Sequence, residues 1–122
     1  MRVIITDKRI DILSKVCICV KLIENSNIIF DKNLDGFFSD NVLNYNDGVI
    51  NNLYLNKLIL ERISDDYEMI FDFNEMCCRC NYDGNSFVLN LVLLDSNVSN
   101  NSIFFKYKIV DTGNIYEYSV LW

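Results

Sequence analysis

Carboxylates and thiols are the side chains best suited to chemistry in this 122-residue sequence, because it contains no histidine. Without an imidazole, Ser-His and Cys-His nucleophiles and histidine-ligated metal sites are excluded. The five cysteines form two Cys-x-Cys pairs, Cys17 with Cys19 and Cys78 with Cys80, beside Cys77. Two such pairs could chelate zinc. Residues two apart in an extended strand, however, stand about 6.5–7 Å apart along one face, and structural zinc sites favour Cys-x-x-Cys in a turn. All five cysteines lie in apolar, strand-like stretches, so reduced thiols acting as small hydrophobes are expected, with no metal site and no catalytic residue among them.

The carboxylates gather as Asp65, Asp66 and Glu68, as Asp72 with Glu75, and as Asp31 with Asp35. Paired carboxylates can cleave a glycoside or hold a divalent cation. Residues 31–36 place Asp at positions one and five, Asn at three and Gly at six, like the start of a calcium-binding EF-hand loop. The Glu that should close such a loop at position twelve is Val42, and the flanks look like strands, so a solvated turn is expected there. The Glu-x-Lys element of a nuclease is missing after Asp72, and glycines 36, 48, 84 and 113 stand alone rather than in a phosphate loop. Each enzymatic reading lacks an essential part. A non-enzyme without cofactor or metal is expected.

Seventeen acidic against eleven basic residues leave a formal net charge of −6. That balance disfavours nucleic acid and anionic lipid, whose phosphates need clustered Lys and Arg. A small, acidic, non-catalytic domain has the physical character of a protein that neutralises a nucleic-acid-binding enzyme. Its negative surface steers it to a basic groove and competes with phosphate there. The expected function is stoichiometric occlusion of a basic, nuclease-like toxin or effector, in the manner of an immunity protein or antitoxin. The alternative is a viral or phage accessory, anti-defence or self-assembling structural protein. The expected partner is a basic protein, with neither nucleic acid nor membrane, bound by a monomer or small homo-oligomer. Its contact face is expected on the densest acidic run, Asp65, Asp66, Tyr67, Glu68, Asp72 and Glu75. Tyr45, Tyr54 and Tyr82, near polar turns, could add aromatic anchors. The first eight residues lack the apolar stretch of a secretory signal, and the longest apolar run, residues 16–20, is far short of a bilayer span. A cytoplasmic location is expected.

A single domain over residues 1–122 must position these groups, since 51% hydrophobic residues suffice for a core at this length. Asp83-Gly84 lies between alternating stretches at 76–82 and 85–94, a strong hairpin signal that pairs Tyr82 with Asn85, Cys80 with Phe87 and Cys78 with Leu89. A second hairpin turns through residues 111–114. A two-residue turn there pairs Val110 with Ile115, Lys108 with Glu117 and Tyr107 with Tyr118, while a bulged three-residue turn would shift those pairs. Residues 67–73 alternate as a strand, residues 15–24 and 27–31 flank Asn25-Ser26 as a hairpin, and residues 2–6 form a short strand. Residues 49–64 differ. Val49, Ile50, Leu53, Leu60 and Ile63 fall at helical spacing behind Asp47 as N-cap, predicting the one substantial helix. The expected fold is α+β, a mainly antiparallel sheet of hairpins with that helix packed on one face.

Overall fold

Apolar residues recur at every second position in several stretches of the chain, among them 16–22, 67–73 and 103–109, the pattern of a pleated surface with one buried face. The structure is a computed structural model that describes residues 2–6 and 9–122, with side chains from Ser14 onward. Met1, Asp7 and Lys8, on which the reading of the N-terminus partly rests, lie outside the described residues. Eleven strands are described: β1 (Arg2–Thr6), β2 (Arg9–Glu24), β3 (Asn27–Ser39), β4 (Val42–Asn46), β5 (Ile50–Tyr54), β6 (Ile59–Ile63), β7 (Tyr67–Asp72), β8 (Cys77–Tyr82), β9 (Asn85–Val98), β10 (Ser102–Ile109) and β11 (Ile115–Leu121). From β2 onward each strand pairs antiparallel with the next, and β11 returns to pair with β2. Ten strands thus close into an antiparallel barrel, while β1 pairs only with the start of β2. No helix of the described residues is long and apolar enough to cross a membrane.

The fold is therefore all-β and not α+β, and the helix expected over residues 49–64 is a hairpin. Leu53 pairs with Leu60, and both are buried in the barrel. Their separation of seven residues is two helical turns, but a hairpin folding between them gives the same spacing. Asn51, Asn52 and Tyr54 are weak helix formers, so nothing local tips the choice toward a helix. The intervening turn carries Leu58 at φ 53°.

Turn chemistry sets the other registers. Asp83 (φ 50°) and Gly84 (φ 79°) are both left-handed, as the tightest hairpin turn requires. That hairpin has the expected pairs, Tyr82 with Asn85, Cys80 with Phe87 and Cys78 with Leu89. The last hairpin is shifted by two residues, to Lys108 with Ile115, Tyr107 with Tyr116 and Lys106 with Glu117. Its loop is wider than two residues: the Gly113 N–H donates to the Ile109 carbonyl at 2.8 Å, and the Ile109 N–H donates to the Asn114 carbonyl at 2.9 Å. A shift of two leaves every side chain on its expected face. Residues 31–36, expected as a solvated turn, lie within β3.

An antiparallel meander puts alternate turns at opposite ends of a barrel. The β2–β3, β4–β5, β6–β7, β8–β9 and β10–β11 turns share one rim, here called upper, and the remaining turns share the lower rim. The lower half is packed solid. Phe73, in the β7–β8 turn, folds inward and stacks on Phe105 with ring centroids 4.3 Å apart. Ile18, Leu43, Leu53, Ile103 and Val120 are buried around them.

Candidate functional site: a cup at the upper rim

Two rows of inward side chains run across strands β4 to β9, each row fixed by the ladder register. The row nearer the upper rim reads Tyr45, Asn51, Arg62, Met69, Cys80 and Phe87. The row beneath it reads Leu43, Leu53, Leu60, Phe71, Cys78 and Leu89. Across β4 to β9, polar groups thus enter the interior only in the row near the upper rim, above an apolar floor. There the barrel holds a cavity of about 410 Å³, bordered by Arg62, Tyr67, Met69, Phe71, Tyr107 and Tyr116 among others.

Arg62 brings a charge into this cup, and its partners hold it in place. Nη1 donates at 3.1 Å to Asp47 Oδ2 and at 3.1 Å to Asn51 Oδ1. Asp47 Oδ1 in turn accepts from Asn51 Nδ2 at 2.8 Å and from the Val49 N–H at 3.3 Å. Asp47 therefore organises the β4–β5 turn and neutralises the guanidinium; it caps no helix. Burial works against the charged form of Arg62, but the Asp47 carboxylate and the nearby Tyr67 hydroxyl outweigh it, and the pKa is raised. In the wall of the cup, which Tyr118 lines, the hydroxyls of Tyr45 and Tyr118 lie 2.5 Å apart in a buried hydrogen bond. Burial, above all, raises the pKa values of Tyr45, Tyr107 and Tyr118, so all three remain neutral phenols.

Tyr107 is the group left over. It is 6% exposed, and its hydroxyl has no hydrogen-bond partner among the described residues. Among those residues no fully buried side-chain nitrogen or oxygen goes unpaired, so this hydroxyl opens on the cup that Tyr107 lines.

The acidic residues expected to form one contact face are split between the rims. Asp65 and Asp66 sit in the β6–β7 turn, with Tyr67 and Glu68 opening β7, and together with Asp83 they border a shallow depression of about 580 Å³ on the upper rim. Asp72 and Glu75 are at the lower rim, at the other end of the same strand. Asp72 is buried. Its Oδ1 accepts the Asn74 and Glu75 N–H groups at 3.0 Å each, so it caps the β7–β8 turn. Tyr45, expected as an exposed anchor, is buried, and Tyr54 donates to Glu61 at 2.7 Å; Tyr82 is 57% exposed.

All the cysteines are free thiols. Cys17 and Cys19 are exposed on the wall of β2, whereas Cys78 and Cys80 face inward on β8 with sulfurs 3.7 Å apart, so the two pairs are not brought together. Among the described residues, no cluster of three or more Cys, Asp or Glu is placed to hold a metal.

The cup itself escaped sequence reasoning. Its one signal is Arg62, a charge at the same parity as buried Leu60, and a helix over residues 49–64 conceals that parity. Compared with models of known protein families, with characterised proteins and with solved structures, the chain matches none.

Proposed function

We propose that the barrel is a binding protein for a small, largely apolar molecule held in the upper cup. The observation that carries this reading is the Tyr107 hydroxyl, unpartnered among the described residues on a side chain that is otherwise buried, and opening on a cavity of about 410 Å³ above a tightly packed floor. A hydroxyl that meets its surroundings only through the cup is free to bond to a ligand or a bound water there. The cavity falls within the roughly 300–1,000 Å³ of small-molecule sites, and it combines apolar walls with a few convergent polar groups at the mouth of a barrel. Eight strands suffice to enclose one small ligand, and diameter grows with strand number, so ten strands leave room above a packed core.

Titration with Nile red, an uncharged solvatochromic dye, tests this reading. Saturable fluorescence enhancement at one dye per chain is expected, and Met69→Trp, which fills the cup, is expected to weaken it about tenfold or more. Equal binding by Met69→Trp, with its fold intact by circular dichroism, would place the dye elsewhere and sink the proposal.

A second reading is favoured by the gathering of Asp65, Asp66, Glu68 and Asp83 on the upper rim beside exposed Tyr82. In it, the rim docks a basic protein partner, and the chain acts as a stoichiometric inhibitor of the immunity or antitoxin type. The free thiols fit a reducing, cytoplasmic setting for either reading. Pull-down at low salt, where surface charge acts most strongly, separates the two: capture of a basic protein by the native chain, lost in Asp65→Asn/Asp66→Asn/Asp83→Asn, supports the rim.

A further inference from the structure

We propose that the cup selects an elongated, uncharged amphiphile, whose hydroxyl or carbonyl head lies against Tyr107 and Arg62 and whose hydrocarbon body runs over Met69 onto β8 and β9. This rests on the cup being a binding site.

The head is argued from charge. Arg62 is the one cation in the lining of the cup, and it is already offset by Asp47 at 3.1 Å. A carboxylate entering beside Arg62 would lose its hydration, and the Asp47 carboxylate that already offsets the guanidinium would oppose it. An ammonium head would meet Arg62 as a like charge. A neutral head loses little hydration, and it can bond to the Tyr107 hydroxyl, which both donates and accepts.

The body is argued from what lies beside the mouth. A second apolar hollow of about 300 Å³ is lined by Tyr67, Met69, Cys80, Tyr82, Phe87 and Leu89. It shares Tyr67 and Met69 with the cup, so the two form one track. By register Phe87 belongs to the inward row with Cys80 and Met69, yet it is 50% exposed, and Tyr82 beside it is 57% exposed. The β8–β9 hairpin carries its inward face beyond the reach of the opposite wall. Large apolar side chains on the concave side of a rim, continuous with a cavity, are a surface that a ligand tail covers.

Displacement of Nile red by dodecan-1-ol, dodecanoate and dodecylammonium, at about pH 8 where the last two are ionised, tests the class. The alcohol is expected to displace the dye at a concentration about tenfold lower than either ion. Tyr107→Phe should shrink that preference to about threefold or less. Phe87→Ser should weaken dodecan-1-ol more than hexan-1-ol, because only the longer chain reaches the hairpin. Dodecanoate binding as tightly as the alcohol, or none of the three displacing a dye that Met69→Trp excludes, would overturn the inference and leave the cup standing. Dye binding indifferent to Met69→Trp would instead remove the cup on which it rests.

Discussion

Arg62 carries a full charge into the barrel interior, where two groups fix it, Asp47 and Asn51. Asn51 is fully buried and bonded at both ends of its amide, to Arg62 and to Asp47. Removing one charge of such a unit strands the other. Asp47→Ala is therefore expected to cost about 3 kcal/mol, and Asp47→Ala/Arg62→Met less than the sum of the two single changes, a non-additivity that urea denaturation of the four proteins measures. The buried tyrosines predict the behaviour in alkali. Burial lifts the pKa values of Tyr45, Tyr107 and Tyr118 above the ordinary 10.0. Below about pH 9 these phenols are protonated in both folded and unfolded chains, so stability from this source is constant. Above about pH 10 the unfolded chain releases their protons while the folded chain keeps them, so stability falls as pH rises. The urea midpoint should hold level between about pH 7 and 9 and drop by pH 11. Tyr118→Phe should make that drop shallower, at a cost of about 1–2 kcal/mol at neutral pH because it orphans the Tyr45 hydroxyl.

At the scale of elements, positive φ at paired turn residues gives the hairpins their hand. Gly84 at φ 79° meets no steric obstacle to a methyl group, so the penalty of a side chain there is conformational. Gly84→Ala should cost about 1–2 kcal/mol, read as a lowered thermal midpoint, with the Tyr82–Asn85 register retained. Asp83-Gly84 made that hairpin legible from the chain alone, because a two-residue turn and the alternation on both strands select the same register. The final hairpin was legible in its faces but not in its pairs: a loop closed by Gly113 and Asn114 moves the register by two without changing which residues point inward. The inward leucines of the β5–β6 hairpin, seven apart, satisfy helix and hairpin alike, so their spacing does not separate the two. The same ambiguity conceals the site. Arg62 is recognisable as an inward charge only once Leu60 and Arg62 are seen on one face of a strand. The acidic run at residues 65–75 was legible as composition, but β7 is a full strand, so its two ends reach opposite rims and only Asp65, Asp66 and Glu68 stay together.

The whole molecule divides its interior by height. The lower half stacks Phe73 on Phe105 and buries Ile18, Leu43, Leu53, Ile103 and Val120, which supplies the apolar burial that holds the barrel closed. With stability concentrated there, the upper half can remain open and keep a hydroxyl unpaired among the described residues. Closure depends on β2, whose sixteen residues pair with β1, β3 and β11. Two methionines report on the two halves: Met69 lines the cup, and Met76 lies in the β7–β8 turn at the lower rim. Methyl NMR of protein labelled with [methyl-¹³C]methionine, titrated with dodecan-1-ol, follows both at once. A saturable shift of the Met69 methyl with the Met76 methyl unmoved is the expected result. A Met69 methyl that stays in place while the alcohol binds, or that moves together with Met76, would contradict a ligand site in the upper cup.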